Sequence, residues 1–254
     1  MMLLVPHQGT ATAGGSRGTT STHPFTLLQQ IAFNTELDFL SRYVWRGLVS
    51  SRGFVWQPSV TASVRQVSLS AWANFPLDHE PNQFEFNEID LVLSYHPTIK
   101  DLQLTFLLRG ELYPDANPKS PDYGSPELVT YFRASYPFGP LTCAASAAVS
   151  QVAAAGALYG TLEAGYERTL WKDWGLNTAV LFGYANRRFN KRYITDVGAR
   201  INHFQFSLTV PWRAWRGLTV SPTMNVSTLL PRPLHEAVAE PTLVWGGVML
   251  NYDF

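Results

Sequence analysis

Charged residues spaced by even steps recur along this chain more regularly than a solvated surface requires. Glu88 and Asp90 form one pair, Arg109 and Glu111 another, and Glu127, Arg133, Glu163 and Glu167 continue the series. Upstream, Arg42 and Arg46 follow Glu36 and Asp38. Side chains two apart share one face of a β-strand. Rows of carboxylate and guanidinium on such a face have two uses: lining a polar passage that selects solutes by charge, or pairing into an internal lattice that stiffens the molecule. For any single residue the lattice is the default. As a set, Arg42, Arg46, Glu88, Asp90, Arg109, Glu111, Glu127, Arg133, Glu163 and Glu167 are the candidate lining residues, with Glu36, Asp38, Arg65 and Arg200 beside them.

Other chemistry finds little support. The six histidines are scattered: His7 and His23 near the start, His79 and His235 in long links, His96 beside a short turn, and His203 where a strand pattern changes phase. None combines with Ser and Asp in a nucleophilic motif, and no HExxH or CxxC spacing occurs. No catalytic residue, metal site or cofactor is assigned. The single cysteine, Cys143, lies in the alanine-rich run 141–149 and reads as a small packing residue. Basic and acidic residues balance at 19 each, which gives no footprint for nucleic acid.

The elements that must hold those charges are strands. From Ile31 onward the pattern is nearly continuous period two, with no helical stretch. Segments 31–46, 54–65, 67–75, 86–96, 101–113, 126–137, 140–150, 157–169, 175–187, 194–210, 217–228 and 242–254 make about twelve strands. In 101–113, Leu102, Leu104, Phe106, Leu108 and Leu112 oppose Gln103, Thr105, Arg109 and Glu111. Segment 194–210 breaks phase near Asn202 and His203, which predicts a β-bulge. Every second link is short, as at Arg65-Gln66, 97–100, 137–140, 170–174 and 211–216. The alternate links are longer and proline-rich, as at 113–125 and 229–241.

Only 15% of residues are charged, against roughly a quarter in ordinary soluble domains. No run of about eighteen apolar residues exists, so no transmembrane helix is expected. About twelve apolar-faced strands enclose more space than Leu and Phe can fill. Turning that face outward to lipid resolves the problem and leaves polar and small residues for a lumen. Trp171, Trp174, Trp212 and Trp215 cluster at two short links, with Tyr95, Tyr136 and Tyr252 at nearby strand ends, as at a membrane–water boundary. The final segment puts Leu250, Tyr252 and Phe254 in one outward row, which resembles the C-terminal signal of bacterial outer-membrane barrels that the barrel-assembly machinery reads. At the other end, Met1–Val5 is apolar but short, Pro6 interrupts it, and Ala11-Thr-Ala13 resembles a cleavage site. Residues 1–30 are read as a tail or truncated signal, and 31–254 as one barrel domain.

Ser41-Arg-Tyr-Val-Trp-Arg-Gly47 resembles the opening signature of the TorF-type porin family, proteobacterial outer-membrane barrels in which Ser-Asp-Tyr-Val-Phe-Arg-Gly is typical. Glu88-Ile-Asp-Leu91 with Tyr95, Tyr113-Pro114, and Glu127 with Tyr131 follow in the family's order. The likeness spans most of 31–254 and is sharp at 41–47 and 88–131, with Arg42 in place of Asp and Trp45 in place of Phe. It implies an antiparallel all-β transmembrane barrel in a Gram-negative outer membrane. The expected function is a passive, porin-like pathway for small polar solutes, in contact with outer-membrane lipid. The alternative is a non-conducting barrel serving envelope structure or partner binding through links 113–125 and 229–241. An outer-membrane enzyme ranks third.

Overall fold

The computed structural model describes residues 30–77, 87–114 and 125–254. All but the last residue of the tail assigned to 1–30, and most of the link 113–125, therefore lie outside the described residues, as does His79. In chain order, β1 (Ala32–Leu40) is followed by a small hairpin, β2 (Tyr43–Trp45) and β3 (Leu48–Ser51). Then come β4 (Val55–Val64), β5 (Val67–Pro76), β6 (Glu88–Tyr95), the two-residue β7 (Thr98–Ile99), β8 (Leu102–Leu112), β9 (Glu127–Phe138) and β10 (Leu141–Ser150). After β11 (Leu158–Trp171) and β12 (Trp174–Ala185), a helix α1 (Arg187–Tyr193) precedes β13 (Arg200–Thr209) and the short β14 (Trp212–Trp215). The chain finishes with β15 (Leu218–Leu229), α2 (Arg232–Ala237) and β16 (Thr242–Asp253).

Twelve of these strands form a closed antiparallel ring. Each wall strand pairs with its neighbour in sequence, β11 pairs β12, and β1 closes on β16. The closing register runs from Asn34 opposite Asp253 to Leu40 opposite Gly247. Closure leaves no unpaired edge, the condition for backbone polar groups to cross lipid.

The pleat then sorts side chains without exception at the registers that matter. Leu91 opposite Gly110, Leu93 opposite Leu108 and Tyr95 opposite Phe106 face out, while Asp90 opposite Glu111 faces in. Outside, Leu69, Leu91, Leu93, Phe106, Leu162, Phe182, Val244 and many others are exposed. Aromatic neighbours pack along this surface, such as Phe106 on Phe132 with ring centroids 5.1 Å apart and Phe182 on Phe204 at 5.3 Å. A water-facing sheet would hide these groups; lipid accepts them. Trp171 and Trp215 are the most exposed of the tryptophans at the short-turn end, and Trp174 stacks on Trp212 at 5.4 Å. That end carries the aromatic belt expected from the sequence.

Three features depart from the expected strands. Segment 31–46 is not one strand: β1 stops at Leu40, and 43–51 turns inward as the β2–β3 hairpin. The stretch 187–193 is helical, as is 232–237, because both lie in long links free of sheet pairing. Asn186 caps α1, accepting the Phe189 N–H at 2.9 Å. Segment 194–210 accordingly begins as a strand only at Arg200. The bulge expected there is present. Gly183 pairs with His203 and Tyr184 with Ile201, leaving Asn202 as the extra residue.

Candidate functional site

The β2–β3 hairpin enters the barrel at the long-link end and crosses to the far wall. Tyr43 is buried between Val55 and Trp72 on the near wall, with its ring 5.7 Å from that of Trp72. Val44 packs on Leu243 and Trp245 of β16. Trp45 stacks on Phe189 of α1 at 5.7 Å and meets the edge of Tyr193 at 5.0 Å. Arg46 and Gly47 make the two-residue turn, both with positive φ, 52° and 81°. This pairing is the mirror-image turn that suits a tight hairpin, and arginine rarely accepts it. Here the guanidinium lies over Trp45 at 4.4 Å and over Tyr159 at 4.6 Å, a cation–π seat that fixes the tip against β11. β11 stands almost opposite β1 in the ring, so the motif 41–47 is a cross-lumen strut.

Two other links reinforce the plug. Phe189 and Leu234, one from each helix, are wholly buried, as are Leu229 and Leu243. Asn202 donates to the Asn190 Oδ1 at 2.7 Å, tying the bulge to α1. Outside the wall, Arg187 donates to Asp196 at 2.8 and 3.1 Å, and this pairing holds the Asp196 carboxyl below its usual range. Arg42 donates to Glu240 at 2.8 Å and so joins the base of the hairpin to the link before β16.

Beneath Tyr43 lies the densest charge on the inner wall. Glu88, Asp90, Arg109 and Glu111 are all buried. The register that sets Asp90 opposite Glu111 brings β6 and β8 carboxylates together. One oxygen from each of Glu88, Asp90 and Glu111 lies within 4.8 Å of the others. Arg109 forms an ion pair with Glu111, while its Nε stands 3.6 Å from Asp90 Oδ2. Tyr113 donates to Glu111 Oε2 at 2.9 Å. Spacing alone could not reveal this group as a unit, because a strand register supplies the third carboxylate. An acidic i, i+2 pair beside an Arg-x-Glu strand was the available signal.

The remaining candidates divide. Arg133 forms a two-pronged pair with Glu163 at 2.8 and 3.2 Å, a lattice contact with both partners still partly solvated. Glu127 turns to the backbone instead. It accepts N–H groups of Gln151 at 3.2 Å, Val152 at 2.8 Å and Ala154 at 2.8 Å, and so caps the link between β10 and β11. Glu167 is exposed near the short-turn rim. Arg65 sits in the β4–β5 turn with φ 54°. Glu36 and Asp38 share the inward row of β1 opposite Ser59 and Gln57, as their even spacing predicts. Hydroxyl pairs line the inner wall: Thr61 with Ser70 at 2.8 Å, Ser146 with Thr161 at 2.6 Å, and Thr209 with Thr223 at 3.1 Å. The lumen therefore has two halves, an aromatic and ion-paired plug at the long-link end and a polar vestibule at the short-turn end.

No family model matches the sequence, and no curated protein matches it. The family resemblance at 41–47 and 88–131 thus stands on those residues alone. Solved structures do match. The fold is similar to the KdgM porin, with a TM-score of 0.55 and 10% identity over 87% of this chain and 99% of that one. It is similar to the NanC porin, with a TM-score of 0.52 and 9% identity over 88% and 99%. A KdgM porin in complex with disordered oligogalacturonate matches with a TM-score of 0.50, at 11% identity over 88% and 99%. At such identities the likeness is one of fold, and the chain shares the architecture of outer-membrane porin barrels.

Proposed function

We propose that the chain is a porin-like passive pathway for small polar solutes in a Gram-negative outer membrane, constricted at its long-link end by the β2–β3 hairpin. The observation that carries this reading is the sorting of the wall. Lipid-compatible side chains cover the outside, while Ser, Thr, Asn and charged groups line an interior too wide for twelve strands to fill with their own side chains. Among the described residues, carboxylates outnumber guanidiniums in the lumen, since Glu36, Asp38, Glu88, Asp90, Glu111, Glu163 and Glu167 face Arg42, Arg46, Arg109 and Arg133. Neutral and cationic solutes are favoured, and a polyanion of the kind held by one KdgM structure is disfavoured. Arg42, Arg46, Glu88, Asp90, Arg109, Glu111, Arg133, Glu163 and Glu167 set the charge along this pathway, whereas Glu127 serves the scaffold. Outward Leu250, Tyr252 and Phe254, on the seam strand, form the segment that the barrel-assembly machinery engages.

A second reading has a specific observation in its favour. Phe189, Leu229, Leu234 and Leu243 are all buried at the long-link end, as suits a barrel that binds partners and does not conduct. Planar-bilayer recording separates the two. The folded chain is expected to give small discrete conductance steps, and replacing residues 43–51 with a short Gly-Ser turn should enlarge each step at least twofold. Silence from both proteins would remove the pathway reading and leave the non-conducting barrel.

A further inference from the structure

The carboxylate group beneath Tyr43 is charged out of proportion to its surroundings. Glu88, Asp90 and Glu111 bring three carboxylates into a buried cluster, and among the described residues Arg109 is the one guanidinium paired with them. When all are ionised, these four groups carry two net negative charges, with the Arg46 guanidinium in electrostatic reach of Glu111 alone among the three carboxylates, and burial makes such charge costly. Asp90 carries the imbalance. It is 1% exposed, and neither of its oxygens accepts a hydrogen bond from the protein. Arg109 Nε, at 3.6 Å, is too far to supply one. The guanidinium pairs with Glu111, and among the described residues no ion pair reaches Glu88.

We infer that Glu88, Asp90 and Glu111 form a binding site for a hard divalent cation of the calcium class. The donor set is entirely oxygen, from carboxylates on two adjacent strands whose nearest oxygens lie within 4.8 Å of one another. Hard cations such as Ca²⁺ take oxygen ligands at about 2.3–2.6 Å, so modest side-chain movement lets the three converge on one ion. A divalent charge balances the two that Arg109 leaves over. The Tyr43 phenol, within electrostatic reach of Glu88 and Asp90, sits above this site. An ion there pins the wall directly under the hairpin, at the boundary between plug and vestibule. The site stands whether or not the lumen conducts.

Terbium is a suitable probe, because it occupies calcium sites and emits when nearby aromatic rings are excited. Tyr43 and Trp72 supply the rings. The full chain, refolded into detergent free of lipopolysaccharide and stripped with EDTA, should show sensitised emission that saturates at one ion per chain and is displaced by Ca²⁺. Glu88→Gln and Asp90→Asn should each weaken terbium binding at least tenfold, while Glu236→Gln, on the exposed face of α2, leaves it unchanged. Absence of saturable emission, or equal binding by the wild type and both cluster variants, overturns the site. Should the variants fail to fold, the wild type decides the matter: Ca²⁺ must raise its Tm and EDTA must reverse the rise. A Tm indifferent to Ca²⁺ rejects the proposal.

Discussion

His203 lies between two glycines, one on the hairpin and one on the wall. A Cβ on Gly47 would approach the His203 ring to 2.9 Å, and one on Gly183 would come within 2.4 Å of both the ring and the Tyr159 hydroxyl. Each glycine is thus the space that lets the ring seat the hairpin tip. Gly183→Ala is expected to cost about 1–3 kcal/mol through overpacking. Gly110→Ala, whose added carbon meets nothing within 4 Å, should be close to neutral. Urea unfolding of the two refolded barrels compares them directly. At this scale the sequence was partly legible. The inward charges of β6, β8 and β11 could be read from even spacing, because the strand pleat permits only two faces. The role of Arg46 could not. Its cation–π seat needs Tyr159, more than a hundred residues away, and its left-handed backbone belongs to a turn hidden inside an apparently continuous strand pattern.

The strands themselves were read well, and for a physical reason. Lipid outside and polar lumen inside impose alternation at every step, so period two survives even in a single sequence. The helices and hairpin escaped because nothing imposes such a period on them. α1 has seven residues and takes its place from the Asn186 cap and the burial of Phe189. Tyr43-Val-Trp45 reads as strand and is strand, but it pairs with β3 and leaves the wall. The alternation yields a sharp contrast on β11. Leu162, 65% exposed on the outer face, becomes costly when replaced: Leu162→Arg should destabilise the barrel by about 2–4 kcal/mol near the bilayer midplane. Thr161→Arg, one residue away on the inner face, should cost much less although it breaks the hydroxyl pair with Ser146. Denaturant titration in lipid vesicles gives both values.

Over the whole molecule, the ring closes where β1 meets β16, and the segment that crosses the lumen follows β1 directly. The hairpin touches Trp72 of β5, Trp245 of β16, Tyr159 of β11 and, through Gly47, His203 of β13. One early segment therefore depends on walls from both ends of the chain. Such contacts are invisible to local pattern and are set only when the barrel forms. The two ends of the lumen differ in consequence. One is narrowed by rings and paired charges, and the other is lined by hydroxyls and by Glu167, exposed near its rim. A conduit with an acidic mouth and a constricted far mouth behaves as an ionic diode: cations gather readily at one entrance and poorly at the other. Symmetric potassium chloride should therefore give a current–voltage curve that bends, with larger current when the field drives K⁺ in from the short-turn end. Glu167→Gln should straighten it, and a straight curve in the unaltered protein would dissociate the vestibule acid from ion flow.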